Sequence, residues 1–320
     1  MSTLLFTRSQ IQTLLNPASL VDSLRAGFAA YSATSAHRAQ RVRSALPGPG
    51  TATVLFPGTA PGVPAYTVKV HAKFPNQNPA IRGVLCLHDL ESGKLLAVMD
   101  STYLTAVRTG IAGALAAHVL ARADAKTVAV VGAGVQGRYQ LRSLAGMRPV
   151  ERVWVYDIVP ERAEAFAQEM GEEFAFPVEV APSTSDSVRE ADIVLVATWS
   201  KTPFILPGML AAGAHVTTLG ADEPGKAEVA ADVIRTGLFV CDDRMLSVDC
   251  GALGGVGLGL EAVSAELGEV LAGTHPGRTS SDQITIYGGV GVAFQDAVAA
   301  WHVYKAATTQ KIGTQIDFLM

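Results

Sequence analysis

Apolar residues follow two different rhythms along this chain. In the middle, short continuous apolar runs alternate with stretches of helical spacing. Thr127–Val131 is a β-branched run, Arg138–Met147 reads as helix, Arg152–Tyr156 as strand, and Pro160–Met170 as a helix with proline in its first turn. Asp192–Ala197, His215–Leu219 and Leu238–Cys241 are again strand-like. Unbroken apolar runs of this length are what strands buried on both faces look like. Their alternation with helices predicts a parallel sheet covered on both sides, a Rossmann-type doubly wound α/β fold.

The first hundred residues behave otherwise. Ile11–Ser32 has apolar positions at helical spacing and is expected to be one helix. Pro/Gly-rich turns at 46–50 and 57–64 then separate β-rich pieces at Thr53–Phe56, Ala65–His71, Gly83–Asp89 and Leu95–Met99. That spacing predicts an antiparallel or mixed sheet in an α+β domain. Thr105–Leu120 is a helix leading into the middle region, and Val290–Ala307 is a long amphipathic helix at the end. The expected organisation is residues 1–110 plus 290–320 as one domain, with 111–289 inserted as the other.

Composition narrows the function. With 49% hydrophobic and 17% charged residues among 320, there is material for a full core and little surface charge, which hints at buried subunit surface. Net charge is −4 and no basic stripe tracks a phosphate backbone, so nucleic acid is not an expected partner. Cys86, Cys241 and Cys250 have no metal spacing and suggest a reducing compartment. The N-terminus lacks a basic region followed by an apolar core, and the Ala-rich stretch Thr109–Ala121, which includes His118, is too short for a bilayer. A cytoplasmic chain with no membrane partner is the expectation.

Chemistry enters with V-A-V-V-G-A-G-V-Q-G, which places Gly132, Gly134 and Gly137 as G-x-G-x-x-G between a strand and a helix. Asp157 closes the next strand twenty residues after Gly137, the offset of an acid that takes ribose hydroxyls. Gly132 permits the tight turn, Gly134 lets backbone approach a pyrophosphate, and Gly137 lets helix and strand pack closely. The alternative is a glycine-rich turn with no nucleotide. Asp157, followed by Ile158, repels a 2′-phosphate and favours NAD; NADP is the alternative, with Arg162 as a candidate phosphate ligand.

Two further features stand out. Between Asp22 and Asp89 there is no acidic residue, while Arg25, Arg38, Arg41, Arg43, Lys69, Lys73 and Arg82 fall in the same interval. Lys69 sits in an apolar strand, where an ordinary lysine lies on a solvated face; as a clamp it would hold a carboxylate or phosphate. Arg108, early in an apolar helix, faces either water or a ligand. Leu219–Glu228 follows a buried strand at the carboxyl edge of the sheet, where Asp222 is either a turn or cap residue or an acid near a cofactor.

Taken in order, Lys69 in YTVKV, Leu95–Asp100 leading to Thr105–Gly110, the GAGVQG turn, GADEPGKAE, and the tail with Ser281–Thr285, Gly289–Gly291 and Gln295–Asp296 resemble the ornithine cyclodeaminase/mu-crystallin family over nearly the whole chain. The resemblance implies a substrate and dimerisation domain with a Rossmann domain inserted in it, and a homodimer. It implies that Arg43, Lys69 and Arg108 hold a substrate carboxylate. Thr109, Gly132, Gly134, Val135, Gln136, Gly137, Asp157 and Thr198 would line the dinucleotide, and Asp222 would be the acid/base near the reacting nitrogen, with Lys226 close by. Val290 and Gly291 would border the nicotinamide. The implied activity is NAD(P)-dependent hydride transfer on a small amino or imino acid, by a cyclic imine reductase or an alanine-dehydrogenase-like enzyme. Ornithine cyclodeaminase and a non-catalytic mu-crystallin-like ligand binder are the alternatives. Ornithine-cyclising members carry a glutamate where this chain has Val54 and a threonine where it has Ala80, so recognition of a distal amine is not expected.

Overall fold

The computed structural model describes residues 2–34, 41–48, 51–74, 77 and 79–318. Arg38, one of the basic residues of the acid-free interval, lies outside them. The chain divides into two compact units, Met1–Arg108 with Val292–Met320, and Thr109–Gly291.

The first unit opens with β1 (Thr3–Phe6), α1 (Arg8–Leu14) and α2 (Pro17–Ala33). One helix was expected over Ile11–Ser32; two form, because Asn16 takes extended backbone and caps α2 through Ala18 N–H, and Pro17 follows at the first helical position. Proline has no N–H to continue α1, but its fixed φ suits a helix start. Then come β2 (Val42–Ala45), β3 (Ala52–Thr59), β4 (Ala65–Lys73), β5 (Ile81–Asp89), β6 (Leu95–Asp100) and α3 (Ser101–Leu120), inside which the division between units falls.

The second unit carries β7 (Thr127–Val131), α4 (Val135–Ala145), β8 (Arg152–Tyr156), α5 (Pro160–Glu173), β9 (Val178–Val180), α6 (Thr184–Val188), β10 (Ile193–Val196), β11 (His215–Thr218), α7 (Ala231–Thr236), β12 (Leu238–Cys241), α8 (Arg244–Asp249), β13 (Ala265–Glu266), α9 (Leu267–Leu271) and β14 (Thr285–Gly288). The chain returns to the first unit as α10 (Ala293–Gln310) and β15 (Thr314–Ile316).

The first unit holds a seven-stranded mixed sheet, ordered β15-β1-β6-β5-β4-β3-β2, with β1 and β6 parallel and the other pairs antiparallel. α10 lies on β3 and β4. The second unit holds an eight-stranded parallel sheet, ordered β13-β12-β14-β11-β10-β7-β8-β9. Its strands β7, β10, β11 and β14 are almost wholly buried, and for β7 and β10 this is why the sequence reads as an apolar run. The core helix α3 begins at Ser101, earlier than expected, and is long and apolar enough to cross a membrane; 72% of its most apolar window is nevertheless buried inside the protein.

Candidate active site

A parallel sheet collects the loops that leave its carboxyl ends along one edge, where ligands bind in open α/β folds. After β7 the chain turns through Gly132 at φ +100°, a conformation side chains rarely adopt, and a Cβ there would lie 2.5 Å from the Ala197 carbonyl oxygen. A Cβ on Gly137 would lie 2.5 Å from the Gly132 carbonyl oxygen, so α4 meets its strand closely. At Gly134 the added Cβ would meet nothing within 4 Å. Each glycine therefore has the local reason expected of it.

The turn fits a dinucleotide. Gly134 is the N-cap of α4 and no side chain caps it, leaving first-turn N–H groups for an anion. The Gln136 Oε1 atom is buried without a partner among the described residues. Asp157 braces the turn, accepting the Ala133 N–H at 2.9 Å and the Val159 N–H at 3.0 Å. Arg138 donates to the Ala133 carbonyl and to Glu169.

Three more carboxyl ends carry predicted residues. Thr198 follows β10. Its N–H and hydroxyl both donate to Glu228, at 2.6 and 2.7 Å, and the other Glu228 oxygen accepts from the Thr218 hydroxyl and the Gly220 N–H. Glu228 thus ties the ends of β10 and β11 together; burial pushes its carboxyl up despite these four bonds. Beyond β11, Asp222 accepts from Lys226 at 2.8 Å, and the Lys226 ammonium lies 4.1 Å from the centre of the Trp199 ring. Asp222 caps no helix here; it belongs to a turn and an ion pair. Beyond β14, the Val290 and Gly291 N–H groups both donate to Asp242, at 2.9 and 2.6 Å. Burial raises the Asp242 carboxyl to about 6. Glu228 and Asp242 escaped the sequence reading. For Asp242 the signal was an acid just past the apolar run Leu238–Cys241; Glu228, between Ala227 and Val229, follows no such run.

Val135, the first residue of α4, and Thr109, within α3, also belong to the second unit; the remaining predicted residues lie in the first. Alternate residues of β4 share a face, and Lys69, His71 and Lys73 all point into the interior while Val70 is exposed. The solvated face expected for an ordinary strand lysine is therefore overturned: Lys69 is completely buried. What makes this tolerable is Asp296, in the first turn of α10. It accepts from Lys69 Nζ at 2.5 Å and from Arg108 Nε at 3.0 Å, while Arg108 Nη1 donates to Gln295 at 2.7 Å. Burial lowers Lys69 to about 7 against the pull of Asp296. The Phe56 ring, opposite Lys69 in β3, lies 4.4 Å from its ammonium, and Arg41 covers the same ring at 4.6 Å. Arg43 is exposed on β2, paired with Val54, which pairs with His71; this row neighbours the Phe56–Lys69 row on the same face. Asp296 was visible only as part of a motif and had no assigned role.

Two buried cations sharing one acid, and an uncapped glycine turn at the edge of a parallel sheet, are the parts a carboxylate substrate and a dinucleotide need. A Δ1-pyrroline-2-carboxylate reductase of Bacillus cereus is 31% identical over 291 residues, 87% of this chain and 89% of that protein. The solved Thermococcus litoralis Δ1-pyrroline-2-carboxylate reductase, in complex with NADH and L-proline, superposes with a TM-score of 0.93 at 28% identity, covering 98% of this chain and all of that one. An archaeal alanine dehydrogenase dimer with bound NAD gives 0.91 at 29% identity, over 99% of this chain and all of that one. The model of the ornithine cyclodeaminase/mu-crystallin family matches residues 1–311, and the chain belongs to that family.

Proposed function

We propose that the protein is an NAD-linked oxidoreductase that interconverts a small 2-imino acid and the corresponding amino acid. The observation that carries this is the buried Lys69–Asp296–Arg108 cluster: two fixed cations with donors beyond those spent on one internal acid suit a substrate carboxylate. Arg43 is the third carboxylate ligand in this reading. Gly132, Gly134, Val135, Gln136, Gly137, Asp157, Thr109 and Thr198 hold the dinucleotide, and Val290 and Gly291 border its nicotinamide. The bound cofactor supplies or accepts a hydride at the carbon bearing nitrogen. Asp222 exchanges the proton on that nitrogen, and Lys226 is its ion-pair partner at 2.8 Å. Holding the carboxylate in place orients the reacting carbon, an effect of position more than of acid–base chemistry.

The imine reductase reading is favoured over ornithine cyclisation because Val54 is buried beside His71, and the sequence has no acid between Asp22 and Asp89 to receive a distal amine. The test is NADH oxidation with Δ1-pyrroline-2-carboxylate, Δ1-piperideine-2-carboxylate, and pyruvate plus ammonia. Turnover of at least one is expected. Ammonia release from ornithine with none of these reduced makes it a cyclodeaminase instead.

A homodimer completes the reading. Val42, Leu55, Val70 and Val84 are register partners across β2, β3, β4 and β5, and all four are exposed on the sheet face opposite Lys69. A contiguous apolar row of this kind suits a second copy of the chain.

A further inference from the structure

The geometry around Asp296 goes further than the clamp itself. Both its oxygens accept from cations, one from the Lys69 ammonium and one from the Arg108 guanidinium. All three side chains are nearly dry, with 0%, 1% and 6% of Lys69, Asp296 and Arg108 exposed. As pure scaffolding this is a poor choice, since a buried ion cluster gains little over apolar packing of the same volume. The partners also come from three separate elements, β4, α3 and α10, so the acid brings together cations that the sequence places far apart.

Among the described residues, the other titratable groups named around Lys69 are cations or a neutral histidine. Arg108 approaches from α3 and Arg41 from the segment before β2, while His71 and Lys73 flank it on β4. Phe56 of β3 and Leu85 of β5 are its apolar strand partners. Burial, Arg108 and Arg41 work to strip the proton from Lys69, and Asp296 opposes them. Burial pushes the Asp296 carboxyl up as well, but Arg108 and Lys69 together hold it below the usual carboxylate value, so it stays charged.

We infer that Asp296 is a positioning residue for substrate recognition: it aligns the Lys69 ammonium with the Arg108 guanidinium and, by accepting the Lys69 N–H, holds that proton against the burial around it, so that the pair offers its remaining donors to a single carboxylate. The inference rests on the proposed function, because it presumes a carboxylate substrate. It assigns Asp296 no part in hydride or proton transfer.

Asp296→Asn keeps the volume and one acceptor oxygen but removes the charge. Steady-state kinetics of the NADH-loaded protein with the imino acid it reduces, from pH 6 to pH 9, should show KM at pH 7.5 raised at least tenfold with kcat changed less than threefold. The alkaline limb of kcat/KM should move at least one unit toward acid. Calorimetric binding of L-proline to the same loaded protein should weaken in parallel. A substitution that merely loosened the fold would not move the pH limb. Unchanged KM and an unmoved limb in Asp296→Asn overturn the inference while leaving the proposed function standing. Should that variant not fold, Lys69→Met decides: loss of the alkaline limb supports the inference, and its persistence overturns it. A wild-type protein that reduces none of the imino acids and does not bind L-proline removes the proposed function and the inference with it.

Discussion

The two units handle charge and backbone in opposite ways. The first hides a lysine, an arginine and an aspartate in a dry interior, where every charge must be matched by a partner. The second leaves its binding features as open backbone: a glycine with free space before it and a helix start with no side-chain cap. In the proposed reading, one unit holds a small, fixed anionic group by side chains and the other a long ligand by N–H groups along a sheet edge. Damage should therefore take different forms. In the first unit losing a charge endangers the fold, whereas in the second losing a glycine endangers the fold at some positions and only binding at others.

The largest effect is expected from Asp296→Ala, which strands two buried cations without an acid. Such losses cost about 3–5 kcal/mol, read as a lowered urea midpoint; a loss below 1 kcal/mol would mean that water reaches the cluster. Gly132→Ala comes next. The positive φ and the overlap with the Ala197 carbonyl together cost about 2–4 kcal/mol. Gly134→Ala, two residues on, should leave thermal unfolding unchanged and weaken NADH binding, followed by its fluorescence. If both glycine variants unfold alike, the contrast between packed and open positions in this turn is wrong.

Acid should weaken the protein. Burial lowers His71 from 6.5 to about 2 and His215 from 6.5 to about 3. Between those values and 6.5 the unfolded chain binds protons that the folded one refuses, so stability is complete above about pH 6.5 and falls as pH drops through that window. Asp242, raised from 3.8 to about 6, acts with the opposite sign between those two values, but its shift is smaller than either histidine's. The urea midpoint should be lower at pH 5 than at pH 7; a flat profile contradicts the buried, neutral histidines. The smallest effect on the fold is expected from Val70→Lys on the exposed row, within about 0.5 kcal/mol for a surface change. Sedimentation should then show monomer where the parent chain is dimeric, and an unaltered dimer would place the interface elsewhere.

Much of the second unit was legible before any coordinates. Thr127–Val131 and Leu238–Cys241 form strands over the residues predicted, because strands buried on both faces leave an unbroken apolar signature; Arg152–Tyr156 does so too, although only Val153 and Val155 of it are buried. The strand Thr285–Gly288 was missed although it lies between β11 and β12 in the sheet. Its four residues, Thr-Ile-Tyr-Gly, are too short and mixed to read as a run, and only pairing on both sides makes them a strand. In the first unit the edge strands β2 and β15, and β1 beside β15, were equally silent, being three or four residues long.

The sequence by itself determined the alternation that builds the parallel sheet, the strand–glycine turn–helix with its acid twenty residues on, and the accumulation of cations in a stretch without acids. These are local facts, set by propensity, by the conformational freedom of glycine, and by spacing within one segment. Which acid answers those cations was decided only in three dimensions. Asp296 is 227 residues from Lys69 and 188 from Arg108, and neither distance has a periodicity to betray it. Glu228 and Asp242 tell the same story at shorter range. Their meaning lies in backbone N–H groups that converge at a sheet edge, and a buried charge finds its partner by packing, which no local pattern records.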